Sequence, residues 1–269
     1  MVSQADFDNI DLHITFGVTI FWIVFFGILL LANAKVVLIT KRSHYAFCIN
    51  FAMVGEVVGY IGRIFVSKTD NKQTGYIMNA VGLNVGASYM LVCIYVASFG
   101  LFRSRSNKSP RHNTILLINL ILFNLTAVIL FSVGAGLEAG SNSSYNTGKN
   151  LALAGTIIQL AVLVAFVLYW IFVYSTNVST FIPPSASAYF KYYPVALTFA
   201  MACMLVRFSY KVATQSQGFF SKIAFDEVDF SMMDSLMSAL TALVLSIWNQ
   251  SLVNRSADFE KTASDPEFL

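Results

Sequence analysis

The chain has 269 residues, of which 57% are hydrophobic and 12% are charged, and its formal net charge is +3. Soluble globular domains carry about 25% charged residues, so this composition excludes a soluble domain and indicates an integral membrane protein. The modest charge, without a long basic tract, gives no sign of nucleic-acid binding. The three cysteines fall inside apolar runs and lack the spacing of a metal site or a redox pair.

Seven apolar runs are each long enough for a membrane span, which takes about 20 residues. They cover approximately residues 14–36, 46–66, 76–101, 114–136, 151–175, 193–210 and 230–252. The first run is predicted to be a retained helix and not a signal peptide. The residues before it are acidic, and it is longer than the ~7–15 residues of a signal peptide's apolar region. The predicted fold is all-α, with a seven-helix membrane domain at 14–252, an extracellular tail at 1–13 and a cytoplasmic tail at 253–269.

The distribution of basic residues predicts the orientation of the spans. Loops and ends on one side hold ten Lys and Arg residues, and those on the other side hold five. This asymmetry puts the N-terminus outside and the C-terminus in the cytoplasm. In that orientation the sequon at Asn142 lies in an outside loop and is a candidate glycosylation site.

The region around the sixth span has two notable features. Pro194 falls near the start of the span, where proline is tolerated. The stretch at 211–229 mixes aromatic and polar residues, and we expect it to lie along the outer surface as an interfacial helix.

The second span carries charged residues inside an otherwise apolar run. Glu56, Gly59, Tyr60 and Arg63 are spaced so that a helix places all four on one face. A charge at the bilayer centre costs at least ~2.5–3.5 kcal/mol, which is tolerated when the charge is paired or lines a wet cavity. We therefore predict that Glu56 contacts a cation, either Arg63 or Arg207.

Other spans place polar side chains at similar predicted depth. Arg207 falls near the outer end of the sixth span, and Asp234 falls near the outer end of the seventh. The third and fifth spans add Asn79, Asn84, Tyr89 and Gln159. Two interpretations stay open. The charged residues favour a polar cavity open to the outer leaflet, whereas each amide taken singly favours helix-to-helix hydrogen bonding, worth about 0.6 kcal/mol per bond.

Several activities of seven-helix proteins are excluded by missing residues. The last span has no lysine to bind retinal, and the histidines fall at span ends or in loops, away from the depth of a membrane zinc hydrolase site. The chain has no glycine-rich phosphate-binding loop and no set of residues placed for acyl transfer. We expect no enzymatic activity, no cofactor and no metal.

An ordered set of motifs runs from the second span to the seventh. The second span has Glu56, Gly59, Tyr60 and Arg63, and the third has Ala87-Ser88-Tyr89-Met90. Later elements are Gly134 and Gly136, Gly155 with Gln159, and then Arg207, Tyr210, Gly218, Glu227 and Asp234. In this order the motifs resemble the fungal RTA-like family, also called the lipid-translocating exporter family, whose members are seven-helix plasma-membrane proteins.

The chain departs from the family pattern at several polar positions. A family aspartate is Asn124 here, a glutamine is Phe131, a usual arginine is Lys211, and a glutamate is Thr214. The chain therefore looks like a divergent member, and its substrate need not be the usual one of the family.

The resemblance implies that the protein transports or flips amphipathic lipids, particularly sphingoid long-chain bases, and confers resistance to toxic lipophiles. A long-chain base carries a cationic amine and hydroxyls on an alkyl tail. Glu56 and Asp234 are candidates to bind the amine, and Tyr60 and Gln159 are candidates to bind the hydroxyls. An anionic substrate would reverse the roles of acidic and basic residues, and the sequence does not decide between the two.

The remaining motif residues have other expected roles. Arg63, Arg207 and Glu227 are candidates for charge pairs or a gate, and the structural candidates are Gly59, Ala87, Tyr89, Gly155 and Gly218. Because the chain has no nucleotide-binding motif, movement is expected to be downhill or ion-coupled, with Glu56 binding the amine or a proton. The alternative function is a seven-helix sensor or regulator that binds a lipophilic ligand without transporting it.

Overall fold

The computed structural model describes residues 15–40, 44–68, 72–105, 110–140, 144–176, 188–218 and 226–248. Within these ranges every regular element is helical, and seven helices are long and apolar enough to cross a membrane. They are α1 (Phe16–Thr40), α2 (His44–Lys68), α3 (Lys72–Arg105), α4 (Pro110–Glu138), α5 (Tyr145–Thr176), α6 (Ala188–Gln217) and α7 (Glu227–Ile247). The predicted all-α fold with seven spans is confirmed. The two tails and the sequon at Asn142 lie outside the described residues, and the orientation stays a prediction.

The helices form a closed bundle around α3. Each helix packs against its neighbours in sequence, and α7 contacts both α6 and α1, which closes the ring. α3 also contacts α6 and α7 across the bundle. Within the most apolar window of each span, 67% of α3 is buried, against 17% of α4. α3 is therefore the core helix, and most of the apolar surface of α4 faces outward, where lipid would cover it.

The tightest helix pair, α2 with α3, is held close by glycines on both helices. A Cβ added to Gly82 would lie 2.6 Å from the backbone nitrogen of Gly59, and one added to Gly55 would lie 2.7 Å from the nitrogen of Gly86. These separations leave no room for a side chain. Small residues at such contacts let helix backbones approach closely, which is how helices associate in lipid. The family-motif residue Gly59 thus lies at the centre of this contact.

A second close contact joins α4 to α5 through the motif glycines Gly134 and Gly155 and through Gly148, whereas the motif glycine Gly136 has no atom within 4 Å of an added Cβ. A Cβ on Gly155 would lie 2.6 Å from the carbonyl oxygen of Ala127. Gly134 and Gly148 face the backbone of the opposite helix at similarly close range. The two glycine-lined contacts position α2, α3, α4 and α5 as two tight pairs around the core.

The end of the sixth span differs from the sequence expectation. Residues 211–217 continue α6 and do not form a separate surface helix. The physical reason is that polar side chains in this stretch, among them Lys211 and Gln215, bind carboxylates on other helices and so stay with the bundle. α6 also begins earlier than predicted, at Ala188, so Pro194 lies inside the helix.

Gly218 ends α6 in a conformation suited to glycine. Its φ is +85°, in the left-handed region that a side chain disfavours. Its backbone N–H donates to the carbonyl oxygens of Thr214 and Gln215, at 3.1 and 3.2 Å, which closes the last turn of the helix. The motif glycine is therefore a helix C-terminal cap, and the residues that follow it, 219–225, lie outside the described ranges.

Candidate functional site

Charged side chains from α2, α6 and α7 meet inside the bundle. Nη1 of Arg207 lies 2.6 Å from Oε1 of Glu56, and its Nε lies 2.6 Å from Oδ1 of Asp234. Nη2 of Arg207 donates to the carbonyl oxygen of Leu83 on α3, at 3.0 Å. One guanidinium thus joins four helices. Of the two cations predicted for Glu56, the structure places Arg207 in contact with it.

Lys211 completes the arrangement, which we call the ionic cluster: Glu56, Arg207, Lys211 and Asp234. The Nζ atom of Lys211 lies 2.6 Å from Oδ2 of Asp234. Arg207 and Lys211 are one helical turn apart on α6, so both reach the same side of the bundle. With all four groups ionised, two carboxylates face two cations and the cluster is neutral. Neutrality explains why four charged groups are tolerated at this depth.

The ionic cluster is sealed, which corrects the expectation of a cavity open to the outer leaflet. Glu56 and Asp234 are 0% exposed and Arg207 is 1% exposed, whereas the side chain of Lys211 is 20% exposed. The charges compensate one another directly. Oε2 of Glu56 is nonetheless buried without a hydrogen-bond partner among the described residues. It is an acceptor available to an incoming donor.

Local helix geometry aims the two carboxylates at Arg207. Asp234 lies in a π-helical turn, Phe230–Leu236, inserted between the α-helical segments of α7. Such turns occur often at functional sites because they change the direction of a side chain within a helix. The side chain of Glu56 on α2 passes beside Gly86 on α3. A Cβ added to Gly86 would lie 3.1 Å from the Cγ atom of Glu56. The close approach of α2 and α3 therefore leaves just enough space for the glutamate.

Aromatic rings separate the ionic cluster from the nearer end of the bundle. Tyr60 is 1% exposed, and its ring stacks on that of Phe26 with centroids 5.7 Å apart. Phe230 meets Tyr60 edge to face at 6.5 Å, and the Cζ atom of Arg63 lies 3.8 Å above the Phe230 ring. Arg63 makes no hydrogen bond or ion pair with any described residue, so Glu56 is not its partner.

Glu227 joins α7 to the beginning of α1. Its carboxylate accepts hydrogen bonds from the backbone nitrogen of Thr15 at 2.7 and 2.8 Å, and from its hydroxyl at 2.5 Å. Glu227 therefore accepts from a helix N-terminus, whose dipole favours a carboxylate, and its charge also acts on Arg63.

Gln159 belongs to a different polar group from the ionic cluster. Its Nε2 donates to the hydroxyl of Ser88 at 2.7 Å, and Nδ2 of Asn124 donates to the carbonyl oxygen of Ser88 at 3.1 Å. The Ser88 hydroxyl donates in turn to the carbonyl oxygen of Asn84. These contacts join α3, α4 and α5 and favour the helix-to-helix hydrogen bonding left open for the amides. The structure does not bring Gln159 into contact with Glu56 or Asp234.

The remaining motif residues on α3, Ala87 and Tyr89, pack against other side chains of the bundle. Ala87 is 1% exposed, in the core. Tyr89 is half-buried, and its ring lies 5.5 Å from that of Phe51 on α2. Both face neighbouring helices, as expected of structural residues.

Glu138 is a buried carboxylate that sequence reasoning missed. At 1% exposure, its Oε2 accepts from the hydroxyl of Tyr76 at 2.9 Å and from Nε2 of Gln215 at 2.8 Å. It thus links α4 to α3 and α6. The available signal was a lone carboxylate at the end of a long apolar run, a position that usually meets water and so attracts no attention. Lys211 is missed as a cluster member for a different reason: it falls in the stretch 211–229, which is expected from the sequence to lie along the surface.

The described residues offer no metal centre. No group of three or more His, Cys, Asp or Glu side chains within these ranges is placed to hold a metal ion. What the ionic cluster can do chemically is exchange partners at its shared members, because Arg207 contacts two carboxylates and Asp234 contacts two cations.

Comparison with known proteins gives one family and one kind of relative. The model of the family described as RTA1 like protein matches residues 49–256. Relatives include the sphingoid long-chain base transporter RSB1 of Saccharomyces cerevisiae strain Lalvin EC1118, which is 24% identical over 96% of this chain and 78% of the relative. The protein of the same description from strain JAY291 is 23% identical over 88% of this chain and 71% of the relative. No solved structure matches the chain.

Proposed function

This chain belongs to the RTA1-like family of multi-pass membrane proteins, and we propose that it translocates amphipathic lipids, particularly sphingoid long-chain bases. The proposal places this activity at the plasma membrane, where export would lower the cellular load of toxic lipophiles. No bond in the lipid is made or broken, so the protein acts as a translocator and not as an enzyme.

The observation that carries the proposal is the free oxygen of a buried carboxylate. Oε1 of Glu56 is bound by Arg207, whereas Oε2 has no hydrogen-bond partner among the described residues. The ammonium group of a long-chain base has three N–H donors and a positive charge, so it matches this acceptor. Burial of such an acceptor without a partner costs about 1–3 kcal/mol, which favours binding of a donor.

The ionic cluster can receive a cation without a lasting charge imbalance. Arg207 contacts carboxylates on two helices, so it can leave Glu56 and still be compensated by Asp234. Lys211 is the member that reaches solvent, and it can leave Asp234 when the amine arrives. After this exchange, two carboxylates again face two cations. The cost of about 3–5 kcal/mol for an uncompensated buried charge is therefore avoided.

A rearrangement of helices must accompany this exchange because the cluster is sealed. Asp234 and Arg207 close the bundle between α6 and α7, which suits them to a gate. The π-helical turn that carries Asp234 is a place where α7 can readjust without breaking the helix. Since no nucleotide motif is present, a substrate gradient or a coupled ion would drive the movement.

Flux in proteoliposomes that hold only this protein tests the proposal. Vesicles with the purified chain should move a fluorescent long-chain base between leaflets faster than empty vesicles do. The variant Glu56→Gln should lose this activity, whereas the matched control Asp229→Asn, which changes an exposed carboxylate on α7, should keep it. Equal rates in empty and protein-containing vesicles would contradict translocation.

The sealed cluster also favours a second candidate, a sensor that binds a lipid and changes shape without moving it. A buried charge network that exchanged its pairings when a lipid binds would be a two-state element of the kind that signalling requires. The same vesicles separate the two functions. Binding of the long-chain base that depends on Glu56, in the absence of flux, would favour the sensor.

A further inference from the structure

Arg63 is a buried cation whose guanidinium has no hydrogen-bond acceptor among the described residues. It is 8% exposed, and it makes no hydrogen bond or ion pair with any described residue. Its observed contact is with the face of Phe230, 3.8 Å from the ring centroid. A guanidinium has five N–H donors, and burying them without acceptors is unfavourable. The Phe230 ring stabilises the positive charge of Arg63. It does not accept hydrogen bonds from the N–H groups, which point outward in the plane of the guanidinium.

The carboxylates near Arg63 accept bonds from other groups, although the charge of Glu227 acts on Arg63 more strongly than that of any other residue. Glu56 and Asp234 are bound by Arg207 and Lys211, and Glu227 is bound by Thr15. The planar fork of an arginine matches an oxyanion such as a phosphate, which it can bind through two parallel hydrogen bonds.

The position of Arg63 makes it accessible to a headgroup. Exposure rises from 0% at Glu56 to 8% at Arg63, seven residues nearer the end of α2, and the side chain of Lys211 is 20% exposed. The Nζ atom of Lys211 lies 5.6 Å from the same Phe230 ring that Arg63 covers. When Lys211 leaves Asp234 in the proposed exchange, two cations flank one ring on the path to the ionic cluster.

We propose that Arg63, with Phe230 and Lys211, is a binding site for the phosphate of a lipid headgroup. The preferred substrate is then an amphiphile that carries a phosphate beside its amine, with the amine at Glu56 and the phosphate at Arg63. This inference rests on the proposed function, because it names the substrate class of the same translocator.

The test compares two probes that differ in one group: a fluorescent long-chain base and the same base esterified with phosphate on its primary hydroxyl. Both are measured in one vesicle preparation for wild type, Arg63→Gln, Arg63→Lys and the exposed control Lys35→Gln. Arg63→Gln should slow the phosphate ester by about tenfold or more and leave the base within about twofold of wild type. Arg63→Lys should fall between, because lysine keeps the charge and loses the fork.

The ratio of the two rates does not depend on how much protein folds, so a poorly expressed variant still gives an answer. An unchanged ratio in Arg63→Gln, or a wild-type protein that moves the base and rejects the ester, would overturn the inference while the proposed function stands. If neither probe moves, the proposed function fails. Equilibrium binding of both probes in nanodiscs then decides the inference, by whether Arg63→Gln selectively weakens the ester. Inorganic phosphate should not displace the bound ester, and displacement would overturn the assignment to a lipid headgroup.

Discussion

Arg207 and Glu56 are 151 residues apart in the chain, yet Nη1 of the arginine lies 2.6 Å from Oε1 of the glutamate. The same guanidinium reaches Asp234 on α7 and the carbonyl oxygen of Leu83 on α3. α2, α3, α6 and α7 are therefore joined at one point. Any motion that separates two of these helices must break or exchange a bond made by Arg207.

Glu56→Gln should lower both stability and activity. The substitution keeps the size of the side chain but removes its charge, which leaves the buried network with an excess cation. Breaking a buried pair typically costs about 3–5 kcal/mol. We expect a lower melting temperature in detergent and loss of protection of cells from added long-chain base. Asp229→Asn is the control for removal of a carboxylate, and a Glu56→Gln protein that is present at normal level and still protective would contradict the mechanism.

Arg207→Gln should be more damaging than Glu56→Gln, because it leaves Glu56 and Asp234 with Lys211 as their remaining cation. The double variant Arg207→Gln with Glu56→Gln should recover part of the loss, since it removes one of the two carboxylates. For residues in contact, the interaction energy in such a cycle is about 0.5–3 kcal/mol. Thermal unfolding of the four proteins measures it. Additive effects would show that the two side chains do not stabilise each other.

Gly82→Ala should force α2 and α3 apart. The new Cβ would lie 2.6 Å from the backbone nitrogen of Gly59, and a backbone atom cannot move aside as a flexible side chain can. Overpacking of this kind costs about 1–3 kcal/mol. Gly27→Ala on α1 is the control, because nothing lies within 4 Å of the added atom. There the substitution should be neutral or stabilising by about 0.5–1 kcal/mol, and equal unfolding temperatures for the two variants would argue against the close contact.

The orientation predicted from the basic residues has a direct test. A tag before Met1 should be removed by protease applied to intact cells, and a tag after Leu269 should survive. Permeabilised cells provide the control, because both tags should then be cut. The reverse pattern would place Arg63 and the exposed side of Lys211 toward the cytoplasm, and the proposed path to the ionic cluster would then begin at the inner leaflet.

Much of the site was predictable because buried charge is rare in a membrane span. Glu56, Arg207 and Asp234 each interrupt a long apolar run. Because an unpaired charge inside a membrane span is energetically unfavourable, this placement predicts that the three side chains contact one another. The pairing of Glu56 was narrowed to two arginines. The choice between them required the positions of α2 and α6 relative to each other, which depend on the glycines that bring α2 against α3.

Other residues were misjudged because polarity alone does not show which way a side chain points. Lys211 and Gln215 were assigned to a surface segment, yet both continue α6 and bind carboxylates on α7 and α4. Gln159 was grouped with the charged residues by depth, yet it binds Ser88 in a separate contact of α3, α4 and α5. Depth along the membrane normal is readable from position in a span, but direction around each helix is not.

The sequence by itself determined that this is a seven-helix membrane protein with ionisable groups in its interior. Apolar length and the cost of burying charge act within single segments, so they are readable from the residues alone. Only the tertiary structure decided that the charges neutralise one another in a sealed cluster, and that Arg63 has no hydrogen-bond acceptor among the described residues. That outcome depends on the mutual rotation of helices that are distant in sequence, and the rotation results from close packing over all seven helices together.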